Sequence, residues 1–110
     1  MSRHDIRKTL QQMLDYAREA IALAQGKTRE TLNDDRTFEL AETRLLEIVG
    51  EAADRIPLEF QMEHPEIEWG QIISFRNRLI HGYDAIDFDI MWSIIQSDLP
   101  KLVEKLEKIF

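Results

Sequence analysis

Apolar residues recur every three or four positions along almost the whole chain, a period that suits α-helices and excludes most other regular structure. Ile6, Leu10, Met13, Leu14, Ala17, Ile21 and Ala24 form the first stripe, which stops at Gly26, a residue suited to capping a helix C-terminus. Asp34 or Asp35 can cap a second long helix carrying Phe38, Ala41, Leu45, Ile48, Val49, Ala52 and Ile56, and Pro57 ends it or starts a short new turn. Beyond a loop with His64 and Pro65, the spacing predicts a third helix from about Trp69 to Ile80, closed by Gly82. Asp87 caps a last segment through Phe88, Met91, Ile95, Leu99, Leu102 and Leu106, where Pro100 either kinks the helix or opens a fresh first turn. Strand-like alternation and internal repeats are both missing. The expected fold is all-α, an up-and-down helical bundle, with residues 1–110 forming one domain.

Composition narrows the chemistry. The chain has no cysteine, which removes disulfides, thiol nucleophiles and cysteine-based metal centres, and leaves three histidines for imidazole chemistry. Fourteen Lys and Arg against 21 Asp and Glu give a net charge of −7, the wrong sign for coating a nucleic acid non-specifically. Any RNA site must therefore be local and built from a few arginines. No apolar run approaches the roughly 20 residues that cross a bilayer, and the polar start Met-Ser-Arg-His-Asp lacks a signal-peptide core, so a cytoplasmic location and no membrane partner are expected.

The segment from Ile72 to Tyr83 departs from a plain amphipathic pattern. At about 100° per residue, Trp69, Ile72, Ile73, Phe75, Leu79 and Ile80 share one apolar arc, and Arg76 falls in its middle. A guanidinium there needs an internal acid, with Asp84, Glu51 or Asp54 as candidates, or else an anion-binding cleft. Asn77 and His81, four apart, share another face, and both can donate hydrogen bonds to an oxyanion. His81 sits in the expected last turn, where the negative end of the helix dipole favours imidazolium. Arg76 and His81 lie about 140° apart on one helix, so they meet on a single ligand only if the helix unwinds near Gly82 or a second subunit closes the site.

Arg76-Asn77-Arg78-Leu79-Ile80-His81-Gly82-Tyr83 resembles the Arg-x4-His-x-Tyr motif of the HEPN superfamily, specifically the HepT-like toxins of prokaryotic HEPN/MNT toxin–antitoxin pairs. Leu46 to Ala53, His64-Pro65-Glu66-Ile67 with Trp69, and Asp98-Leu99-Pro100 are similar to that family in order and spacing, so the resemblance covers nearly the whole chain. It implies a homodimeric, metal-independent endoribonuclease of a type VII system, with no cofactor and with two motif copies lining one cleft. Arg76 would neutralise the scissile phosphate, His81 would exchange protons with the 2′-hydroxyl or the leaving 5′-oxygen, and Asn77 would orient either group. Tyr83 would accept AMP from the partner, a nucleotidyltransferase antitoxin, and so block the RNA site.

Other readings stand beside this one. The net acidity suits a non-catalytic helical subunit of a nucleotidyltransferase complex, and a helical bundle can also hold a small ligand between its helices. Without the resemblance, Tyr83 reads as a turn aromatic and Arg78 as a solvated or RNA-steering cation. His64 makes a poor metal site, His4 lies near a frayed terminus, and Trp69 and Trp92 fit packing positions. The acids at positions 34, 35, 47, 51 and 54 read as caps and solvated faces, or as a dock for a basic partner.

Overall fold

The computed structural model describes residues 1–81 and 85–110, with His81 described through its backbone alone. Gly82, Tyr83 and Asp84 fall outside the described residues, and with them the expected helix cap, the expected modification site and one expected partner of Arg76.

Helix α1 (Arg3–Leu23) opens with a reciprocal cap: the Asp5 amide donates to Ser2 Oγ at 3.1 Å, and the Ser2 amide donates to the Asp5 carboxylate at 3.3 Å. Gly26 follows its end with φ of +76°, a left-handed turn that other residues enter only under strain. A one-turn α2 (Thr31–Asp34) leads to α3 (Arg36–Asp54), where Asp35 rather than Asp34 is the cap and accepts from the Phe38 amide at 3.1 Å.

The buried face of α3 is wider than its apolar stripe. Glu39, Glu42, Leu46 and Gly50 are buried with Phe38, Leu45 and Val49, whereas Ala41 and Ile48 are only half-buried. Helix α3 is packed by both α1 and α5 (Trp69–Ile73), and some of its polar positions are buried as well. Glu42 is fully buried, and neither carboxylate oxygen finds a hydrogen-bond partner among the described residues. Burial pushes its carboxyl up to about 8, so the side chain is mostly neutral at pH 7.

After α4 (Leu58–Glu63), Trp69 Nε1 donates to the His64 carbonyl at 3.0 Å, and His64 Nδ1 pairs with Glu66 at the same distance. These two residues therefore build the corner before α5, Trp69 in the packing role expected of it.

The continuous helix expected from Trp69 to Ile80 is corrected. It breaks at Ser74 into α5 and α6 (Phe75–Leu79), and Ile80 leaves in extended conformation. At the break the Ser74 hydroxyl donates to the Gln71 carbonyl at 3.0 Å, and α5 lies close on the bare backbone of α3, where a Cβ built on Gly50 would sit 2.9 Å from the Ile72 carbonyl. Ile80–His81 (β1) then pairs antiparallel with Ala85–Ile86 (β2), a two-rung bridge in an otherwise helical molecule.

Asp87 caps α7 (Phe88–Ser93), accepting from the amides of Asp89 and Ile90 as its position predicts. Ile94–Asp98 forms a π-turn, in which the Leu99 amide reaches back five residues to Ile94, and α8 (Leu99–Ile109) follows with Pro100 in its first turn. An interior proline clashes with the carbonyl four residues back, here Gln96, and widening the turn at that point relieves the clash. The core gathers Met13, Ala17, Leu46, Phe75, Met91, Ile95 and Leu106, with α1 laid on both α3 and α8. Among the described residues no helix is long and apolar enough to cross a membrane.

Candidate functional site

The turn at Ser74 decides which side of the motif faces solvent. On an unbroken helix Arg76 belongs to the apolar arc, but after the break Phe75 and Leu79 take the buried positions and Arg76 and Asn77 are exposed. Two of the expected partners of Arg76, Glu51 and Asp54, are also corrected. Among the described residues no carboxylate, Glu51 and Asp54 included, lies within ion-pair distance of Arg76; Asp84 lies outside them. The exposure of Arg76 suits the anion-binding explanation.

Two shallow grooves meet at Arg76. One, of about 190 Å³, lies between α3 and the bridge and is lined by Thr43, Glu47, Leu79, Ile80 and Ile86 together with Arg76. The other, of about 160 Å³, adds Asn77 and is walled by Glu47, Gly50, Glu51, Asp54 and Ile73. A larger groove of about 920 Å³ at the far end of α1, beside Leu58, Phe60 and Phe110, contains no motif residue.

α6 passes directly into β1, so the chain runs from Arg76 to the His81 backbone, where β1 pairs with Ala85, in five residues. The helix does unwind between the two, which is one of the two conditions for bringing them to a common ligand. The side chain of His81 and all of Tyr83 lie outside the described residues.

Arg78, read from sequence as solvated or RNA-steering, is neither. Its Nη1 donates to Asp98 Oδ2 at 2.8 Å, both side chains are half-buried, and its guanidinium also lies 5.7 Å from the Phe75 ring centroid. This ties α6 to the π-turn and leaves Arg76 as the outward guanidinium of the motif.

Sequence reasoning missed Glu47, grouping it with solvated acids. It borders both grooves beside Arg76, held by Arg44 at 3.6 Å, while Arg44 also reaches Glu51 at 3.5 Å. The signal was present in the spacing, since Glu47, Glu51 and Asp54 fall on one helical face. Chemically, an exposed planar guanidinium with adjacent amide donors can take two oxygens of a phosphate at once. The acids across the groove limit where the rest of a polyanion can run.

Comparison with known proteins identifies relatives of this chain. The family described as "Ribonuclease HepT-like" matches residues 13–109. A Thermococcus cleftensis protein named "Probable ribonuclease HepT" is 38% identical over 100 residues, covering 87% of this chain and 91% of that one. One from Methanocaldococcus jannaschii, named "Putative RNase MJ1380", is 31% identical over 107 residues, covering 97% and 98%. No solved structure is a significant match.

Proposed function

Since the chain belongs to the ribonuclease HepT-like family of the HEPN superfamily, we propose that it is a metal-independent endoribonuclease, one domain per chain, that works as a homodimer. The observation that carries the reading is the exposure of Arg76 at the junction of two grooves with no acid of the described residues paired to it, five residues before His81.

In this reaction the 2′-hydroxyl of the substrate attacks its own phosphorus. The new bond joins O2′ to phosphorus and the bond to O5′ breaks, leaving a 2′,3′-cyclic phosphate and a free 5′-hydroxyl. Arg76 holds two non-bridging oxygens and stabilises the charge that builds on them. His81 takes the proton from O2′ or supplies one to O5′, and Asn77 orients either group. RNA is the substrate because DNA lacks the internal nucleophile.

We place the enzyme in a toxin–antitoxin pair in the cytoplasm, with Tyr83 as the residue that a nucleotidyltransferase antitoxin modifies with AMP. A bulky phosphate two residues from His81 would compete for Arg76. The test is growth arrest on expression of the chain alone, with products carrying cyclic phosphate ends. Arg76→Ala and His81→Ala should relieve the arrest, and equal toxicity of wild type and variants would reject the nuclease. The acidic wall of Glu47, Glu51 and Asp54 favours the second reading, a non-catalytic subunit of a nucleotidyltransferase complex. That reading expects no RNA cleavage and a stable complex with the transferase.

A further inference from the structure

Attack by an internal hydroxyl needs two proton transfers, one away from O2′ and one onto O5′. When the two occur together, one imidazole supplies only one of them, and a second group beside the phosphate must carry the other. Glu47 and Arg76 are the two residues common to both grooves, whereas Glu51 and Asp54 border the second alone. The Glu47 side chain is 27% exposed against 54% for Glu51, so it has less freedom to swing into solvent. Thr43, which borders the first groove, already donates its hydroxyl to Glu39 at 3.1 Å.

We infer that Glu47 is the general base of the cleavage, taking the proton from the 2′-hydroxyl while Arg76 holds the adjacent phosphate. The inference rests on the ribonuclease reading and settles a step that reading leaves open, namely which proton His81 moves. Only C2′, C3′ and O3′ separate O2′ from phosphorus, so a phosphate on Arg76 brings its own nucleophile into a groove that the Glu47 carboxylate lines. Arg44 Nη1 stands 3.6 Å from Glu47 Oε2. At that distance the contact is electrostatic rather than a hydrogen bond, so it steadies the carboxylate and leaves its lone pairs free to accept. The Arg44 charge also offsets repulsion between the carboxylate and the RNA.

The protons balance. The carboxylate accepts the O2′ proton as the O2′–phosphorus bond forms, the phosphorus–O5′ bond breaks, and the imidazolium of His81 gives its proton to O5′. A neutral carboxyl and a neutral imidazole remain, and exchange with water restores both. The contrary case is an acidic wall that merely repels a polyanion. Removing the charge of a wall tightens binding and keeps turnover, whereas removing a base lowers turnover with binding unchanged or tighter.

The test compares two RNA oligonucleotides, one ordinary and one with sulfur in place of O5′ at the bond that wild type cuts, because a thiolate departs without being protonated. Glu47→Gln should lower kcat by about 10² to 10⁴ on both substrates, with KM unchanged or lower. Glu47→Asp should recover part of the rate. His81→Ala should lose a similar factor on the oxygen substrate and regain most of it on the sulfur one. Helical circular dichroism checks that each variant folds. If Glu47→Gln keeps its kcat, Glu47 is a wall and the inference falls, while the nuclease reading survives. If sulfur rescues Glu47→Gln and not His81→Ala, the two roles are exchanged and the inference falls again. If wild type cuts neither substrate, the nuclease reading is rejected and this inference with it.

Discussion

Arg78 and Asp98, twenty residues apart, meet through a 2.8 Å hydrogen-bonded ion pair that fastens α6 to the π-turn ahead of α8. The Phe75 ring beneath the guanidinium is itself fully buried, so the pair is held from two sides. Because Arg76 is two residues away on the same short helix, this bond fixes the direction from which the outward guanidinium is presented. Arg78→Ala or Asp98→Asn should cost roughly 1.5–3 kcal/mol, the worth of a partly enclosed hydrogen bond between charged groups. RNA cleavage should fall further than the loss of folded protein explains. Urea melts of the two single variants and the double variant measure the coupling, and purely additive effects would show that the bond contributes nothing.

Arg76 itself should be dispensable for folding. It is exposed and has no acid partner among the described residues, so Arg76→Ala should leave stability within about 0.5 kcal/mol of wild type. Its cleavage rate should drop by about 10² to 10³, the usual cost of removing a group that stabilises developing oxyanion charge. Arg76→Lys keeps the charge but loses the two-pronged geometry, and should recover only part of the rate. Full activity in Arg76→Lys would mean that charge alone suffices.

Glu42 makes stability depend on pH. Its carboxyl is raised from 4.5 to about 8 by burial without a partner, so the folded chain holds a proton that the unfolded chain releases. The contribution is whole below pH 4.5, shrinks as pH climbs, and is lost once pH passes about 8. The loss is on the order of 5 kcal/mol. Glu42→Met fills similar volume without a charge and should be more stable than wild type, by a margin that widens from pH 4.5 to 8 and then levels off. Denaturation at several pH values reads this difference directly, and a margin independent of pH would count against a buried neutral acid.

Gly50 sets how closely α5 approaches α3. A methyl group there meets the Ile72 carbonyl at 2.9 Å, and neither backbone has a flexible end to yield. Gly50→Ala should therefore destabilise by roughly 1–3 kcal/mol despite the better helix propensity of alanine, since the helices must part. Calorimetric melting checks the sign. A more stable variant would show that α5 shifts freely.

The long elements could be read from the chain because their determinants are local: the stripe from Ile6 to Ala24, the left-handed Gly26 and the Asp87 cap depend only on neighbours a few positions away. The break at Ser74 could not, because the helix on either side of it is apolar at helical spacing, and α5 packs on Gly50, 24 residues upstream, through backbone contact that no local pattern announces. Carrying the helical wheel across that break placed Arg76 inside when it belongs outside. Glu42 escaped notice for a related reason. A stripe drawn only through apolar residues leaves it out, and its burial comes from the tertiary packing of α3. Arg76 and Asn77 could still be singled out as candidates, because a motif at fixed spacing survives an error in helical phase. The partnership of Arg78 with Asp98 needed the tertiary structure.

The Asp87 amide donates to the Leu79 carbonyl at 2.7 Å, closing the excursion that carries His81 at the point where it leaves the bundle. The segment is anchored at its base, so the helices do not depend on how many residues it contains, and lengthening it costs only a slowly growing closure entropy. The anchor thus uncouples the scaffold from whatever the motif carries: substitutions or insertions between Leu79 and Asp87 should leave the melting point nearly unchanged.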